Sequence, residues 1–139
     1  MSEENKALAR RFYEEVFNKK DLDAMDQICA ADIVDHNAMP GQAPGVQGLK
    51  DFFSMFLVQG FPDARADVEE MVAEGDIVVT RFSLTGTHQG ELMGAPATGK
   101  RVTFHGIDML RITGGKVTDA WHQGDEMMAL AQLGVNLPG

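Results

Sequence analysis

KRVTFHGIDMLRITGGKVTDAWHQGDEMMALAQL, residues Lys100 to Leu133, reads as two long strands joined by a tight turn and followed by a short helix. Gly114-Gly115 supplies the positive backbone φ that a tight hairpin turn demands, and both flanks alternate with the period of two expected of strands. On the first strand Val102, Phe104, Gly106, Asp108, Leu110 and Ile112 share one face, while Thr103, His105, Ile107, Met109 and Arg111 share the other. The first face is the more apolar, yet it contains an acid. A turn bulged by one residue sets Asp108 opposite His122, whereas a plain two-residue Gly-Gly loop sets it against Trp121. The bulged register is the one we expect, because it places a carboxylate beside an imidazole on a face otherwise built for burial.

A buried carboxylate is costly unless it is paired. A neighbouring imidazole is both a hydrogen-bond partner and a proton carrier near neutral pH. Asp108 and His122 therefore form a candidate general acid/base dyad. A purely structural cross-strand pair that satisfies two polar groups is the competing reading.

Outward from this hairpin, the chain supplies what covers it. Ser2-Glu3-Glu4-Asn5 opens a helix with acids in its first turn, and Leu8, Phe12 and Val16 recur every four residues to about Asn18. Tyr13 and Phe17 flank that stripe as core. Asp21 caps a shorter helix with Leu22, Met25, Ile28 and Cys29 on its apolar side, and Asp32 to His36 turns extended. His36 opens the irregular loop NAMPGQAPG, where a histidine either borders a cavity mouth or faces solvent. From Val46 a third helix carries Leu49, Phe52, Phe53, Phe56 and Leu57 on one heavy aromatic side. Two strands follow, Ala66 to Glu74 and Ile77 to Thr85, and then the turn-rich stretch THQGELMGAPATG containing His88. After the last strand, Asp125 has two readings: an N-cap for the helix over Glu126 to Leu133, which is favoured, or a polar residue at a pocket rim. Gly134 is a natural stop for that helix.

The order of helix, helix, short strand, helix and four long strands is α+β. Three N-terminal helices gathered on one face of a curved antiparallel sheet, with a short C-terminal helix, form a cone whose interior can hold a ligand. The 139 residues fit a single domain, 1–139, with 44% hydrophobic and 24% charged residues. The net charge of −9 is spread along the chain without a basic stripe, which argues against nucleic acid. The lone Cys29 cannot form an internal disulfide. The start MSEENKALARR lacks the apolar segment of a signal peptide, and no run approaches membrane-spanning length, so a cytoplasmic address and no membrane partner are expected. No Gly-rich phosphate loop, dinucleotide fingerprint or serine elbow is present, and the four histidines lack metal-site spacing, so neither cofactor nor metal is expected.

Four segments carry a resemblance to a known family: VFNKKDLDAMDQICAADIVDH, PGVQGLKDFF, GTHQGELMGAPATGKRV and FHGIDMLRITGGKVTDAWHQGDEMMALAQLG. Together they span nearly the whole chain. It resembles the SnoaL-like polyketide cyclases, or ester-cyclase-like proteins, of the nuclear-transport-factor-2-like (NTF2-like, cystatin-like) α+β superfamily. The resemblance implies a cofactor-free enzyme closing a polyketide ring by intramolecular aldol condensation of a methyl ester. Family members use an aspartate near a histidine on the adjacent strand. Alignment through LRITGGKV and AQLG puts His122 at the family aspartate and Asp108 at the family histidine, so the two partners are exchanged between strands.

The expected chemistry is proton abstraction next to a carbonyl, leading to aldol cyclisation or isomerisation, with Asp108 and His122 as the acid/base pair in either order. Phe12, Phe52, Phe56, Phe104 and Trp121 would wall a pocket for a small hydrophobic, polyketide-like ligand, although Trp121 has the phase of the outer face. His36 and His88 resemble positions at the cavity mouth of relatives. Two other functions compete: a non-catalytic ligand-binding or dimerisation module, and an epoxide-hydrolase-like hydrolase, which would want more carboxylates than Asp108 alone. The apolar outer face with Ile107, Met109 and Trp121 predicts a homodimer paired through the sheet, as in relatives.

Overall fold

The protein is described by a computed structural model covering residues 2–92 and 94–134. Chain order gives α1 (Ser2–Arg11), α2 (Met25–Ile28), β1 (Cys29–Asp35), α3 (Gly45–Phe53), β2 (Arg65–Glu74), β3 (Ile77–Thr87), β4 (Arg101–Thr113), β5 (Lys116–Gly124) and α4 (Glu126–Gln132). The five strands form one sheet in the order β1-β5-β4-β3-β2. Four of them run as an antiparallel meander. β1 joins the edge parallel to β5, so the sheet is mixed at that end.

Two helices do not stay α-helical. α1 continues through Phe12–Asn18 and α3 through Ser54–Gly60 as π-helical turns. The wider i→i+5 turn changes which residues share a face. It brings Phe12, Tyr13, Val16 and Phe17 all into the core, a set of neighbours that an α-helical stripe would spread more widely. The first of these runs ends at Lys20, whose backbone has φ +58 and whose ammonium donates to the carbonyls of Phe17 and Ala64. Asp21 caps the next short turn as expected, its carboxylate accepting from the Ala24 N–H.

Strand β4 alternates without interruption, burying Val102, Phe104, Gly106, Asp108, Leu110 and Ile112. The hairpin that follows is tight: Gly114 and Gly115 both have positive φ, and Thr113 and Ile112 pair with Lys116 and Val117. The extra residue expected in the turn lies one step beyond it. The register shifts between Ile112 and Arg111, which pairs with Asp119, leaving Thr118 as the bulged residue in β5, with its hydroxyl 3.0 Å from an Asp119 carboxylate oxygen. Asp108 consequently pairs with His122. The register is the expected one, reached through a strand bulge and an unbulged turn.

The core lies between the helices and the inner face of the sheet, where Phe12, Phe17, Phe56, Phe61, Phe82 and Phe104 are buried. Its rings meet at edges and tilts, as between Phe56 and Phe104 at 5.4 Å. This aromatic packing leaves one side of the cone hollow.

Candidate active site

The hollow is a cavity of about 440 Å³. Phe12, Phe52, Phe56 and Phe104 line it, together with Phe17, Phe53 and Phe82. Its polar lining comprises Asp108, His122 and Glu126, with Asp35, Asn37, Gln42 and His105 also bordering it.

Asp108 lies in the middle of β4, where alternation forces its side chain inward. Tyr13, carried by the π-helical turn after α1, donates its hydroxyl to Asp108 Oδ2 at 2.6 Å. The other oxygen, Oδ1, is 2.5 Å from His122 Nδ1. The far ring nitrogen, His122 Nε2, is hydrogen-bonded to Glu126 Oε1 at the start of α4. A continuous chain therefore runs from the buried core to the cavity rim: phenol, carboxylate, imidazole, carboxylate.

Two glycines make room for it. Gly106 and Gly124 face each other across β4 and β5. A Cβ at Gly106 would stand 2.8 Å from His122 Cε1 and 2.9 Å from Phe82 Cζ, and one at Gly124 would stand 2.6 Å from both Glu126 carboxylate oxygens. The ring and the second carboxylate occupy the notch that these missing side chains leave. Asn37, from the loop after β1, accepts the His122 backbone N–H at 2.7 Å and holds the loop against the site.

The electrostatics follow from the pairing. Burial alone pulls the His122 pKa down, but hydrogen bonds to Asp108 and Glu126 and their negative charges outweigh it and push the value up to about 10. His122 is thus an imidazolium at neutral pH, donating from both nitrogens. Burial, reinforced by the charge of Asp108, raises the Tyr13 phenol well above its ordinary value and keeps it a hydrogen-bond donor. The arrangement can hold a cation between two anions beside an apolar ligand and move protons along the line.

Of the other expected site residues, Trp121 borders the cavity, whereas His36, His88 and Asp125 do not. His36 stacks on Trp121 with ring centroids 4.3 Å apart and pairs with Asp119 at 3.0 Å. Trp121 borders the cavity mouth, but its ring carries this stack and lies 5.4 Å beneath the Arg111 guanidinium carbon, in keeping with its outer-face phase opposite Met109. His88 is fully buried away from the cavity, its Nδ1 accepting from the Thr98 N–H and its ring against Phe61. It closes the base of the loop after β3, because β3 carries it past the end of the cone. Asp125 occupies the N-cap position of α4 without capping it: its carboxylate accepts the His105 N–H at 2.6 Å and meets the His105 ring at 3.0 Å. Those bonds outweigh its partial burial and hold its pKa below the usual carboxylate range.

Sequence reasoning missed Tyr13 as a polar partner and Glu126 altogether. Tyr13 sits in a stripe whose other members are apolar, and its hydroxyl gave no local signal. Glu126 follows His122 by four residues, but the strand breaks at Gly124 between them, so helical spacing could not predict their contact. Among the described residues no group of three His, Cys, Asp or Glu side chains has the arrangement of a metal site, and no helix is long and apolar enough to cross a membrane.

Comparison with known proteins places this geometry in context. Residues 7–133 match the family profile described as SnoaL-like polyketide cyclase. The aklanonic acid methyl ester cyclase DnrD of Streptomyces peucetius is 37% identical over 75 residues, covering 52% of this chain and 52% of that protein. The chain thus spans about half the length of the curated relatives it matches. Among solved structures, AclR of Streptomyces galilaeus, a proposed hydroxylase, superposes with a TM-score of 0.84 at 32% identity over 99% of this chain and 100% of its own. IdmH of Streptomyces antibioticus, a proposed polyketide cyclase, gives 0.79 at 33% identity over 94% of this chain and 99% of its own. Helices packed on one face of a curved, unclosed five-stranded sheet are the NTF2-like architecture that these proteins share. By fold and by sequence, the chain belongs to the SnoaL-like polyketide cyclases.

Proposed function

We propose that this protein is a one-domain, cofactor-independent general acid/base enzyme that closes a ring in a hydrophobic polyketide-like carbonyl or ester substrate by intramolecular aldol addition. The observation that carries the reading is the paired Asp108 and His122 in the wall of a mainly apolar, aromatic-rich cavity. An aldol closure needs one proton removed next to a carbonyl and one returned to the new alkoxide, with no oxidant or metal. A carboxylate held by an imidazolium can take up and give back that proton at one place. The aromatic walls suit a flat, apolar ligand, and the names of DnrD and IdmH support a polyketide of this kind. A cytoplasmic homodimer paired through the outer sheet face belongs to the same reading, supported by the exposed Ile107 and Met109 there.

The test uses aklanonic acid methyl ester, the compound in the name of the relative, as probe. Wild-type protein is expected to convert it without change of mass, and Asp108→Asn is expected to lose turnover by about 10²-fold or more while still binding it. Unchanged turnover in the variant would sink the role given to Asp108. Because Glu126 supplies a second carboxylate, a hydrolase is the competing reading. Hydrolysis of the same ester would instead release methanol and leave the lighter free acid.

A further inference from the structure

Resting on that acid/base reading, we infer that Glu126 is the catalytic carboxylate that meets the substrate, with His122 as the cation between it and Asp108, and Asp108 and Tyr13 as positioning residues behind.

Both Asp108 oxygens already hold a short hydrogen bond, from Tyr13 at 2.6 Å and with His122 at 2.5 Å, and its side chain is only 12% exposed. Held between these two partners and largely buried, that carboxylate is turned away from a ligand in the cavity. His122 has no free nitrogen, since Nδ1 meets Asp108 and Nε2 meets Glu126. Glu126 differs from both. Its side chain is 34% exposed, it borders the cavity, and Oε2 has no hydrogen-bond partner among the described residues. The notch at Gly124 holds that carboxylate against the end of β5, where any side chain would displace it. Of Asp108, His122 and Glu126, only Glu126 offers the cavity an oxygen with no hydrogen-bond partner among the described residues.

The chemistry balances on this residue. Glu126 takes the proton from the carbon next to the carbonyl and becomes a carboxylic acid, and the C–H electron pair passes into the enolate. The enolate carbon attacks the second carbonyl carbon, a C–C bond forms, and the carbonyl π pair moves to oxygen. That alkoxide takes the proton back from Glu126, which returns to a carboxylate. His122 stays protonated throughout and holds the carboxylate in place, so nothing is consumed.

The experiment follows aklanonic acid methyl ester in D2O, scoring deuterium at the carbon next to the carbonyl and ring closure in wild type, Glu126→Gln, Gly124→Ala and Asp108→Asn. Glu126→Gln keeps an acceptor oxygen for His122, so the fold and substrate binding survive, while exchange and kcat fall about 10²-fold or more with KM little changed. Gly124→Ala retains the charge but displaces it, and is expected to lower kcat at least tenfold. Glu126→Gln within threefold of wild type, with Asp108→Asn inactive, would overturn the assignment and leave the acid/base reading standing. A folded wild-type protein that catalyses neither exchange nor closure would overturn that reading, and this inference with it.

Discussion

Asp108 is an acid on an apolar strand face, and its surroundings repay the cost of burying it with two short bonds, one from a neutral phenol and one from a cation. His122 gains most from the arrangement. Its pKa stands at about 10 in the folded protein against an ordinary value of 6.5, so the folded state holds the proton more tightly than the unfolded chain. The sign follows: the stabilisation is fully present below about pH 6.5 and is lost as pH rises through 10. We therefore expect the urea midpoint to fall from pH 7 to pH 10 and the fall to flatten in His122→Asn. An imidazole titrating near 6.5 by NMR in the wild-type protein would contradict the pairing. Asp108's place was legible from alternation alone. Its partner required a register, and the second hydrogen bond to Tyr13 joins residues 95 apart, beyond what any local pattern encodes.

At the scale of elements, α4 is a short helix that brings Glu126 to the site, and its attachment decides where that carboxylate stands. Asp125 ties it down through the backbone and ring of His105 and through its own N–H to the His105 carbonyl at 3.0 Å. Leu130 and Leu133 bury beneath. Asp125→Ala removes the side-chain ties, so amide hydrogen exchange over residues 126–133 is expected to rise about tenfold while the centre of β4 stays protected. Equal acceleration in both would mean global destabilisation and would refute a local role. Apolar spacing predicts the short helix, but it favours Asp125 as an N-cap over a residue at the pocket rim, and Asp125 neither caps the helix nor borders the cavity. An N-cap residue chooses among nearby donors, and here a strand N–H beside it in space takes the carboxylate. The π-helical turns were equally hidden, since the same aromatic residues fit an α-helical stripe.

At the scale of the whole molecule, one face of the sheet is covered by helices and, among the described residues, the other is not. Ile107 is 48% and Met109 41% exposed on that open face, next to the stacked His36 and Trp121. If it pairs two copies, Ile107→Glu should give a monomer by light scattering with the cavity unaltered, and a dimer that persists would remove this face from consideration. The amino-acid order by itself determined the α+β sequence of elements, the two faces of β4, the aromatic wall and the inward aspartate, because these rest on periodicity and turn chemistry within a few residues. Only the tertiary structure decided that β1 runs parallel to β5, that the bulge sits at Thr118, that His36 and His88 stand apart from the cavity, and that Tyr13 and Glu126 complete the polar chain. Each of those depends on which distant side chain first satisfies a buried donor, acceptor or charge, and that choice exists only once the helices have packed on the sheet.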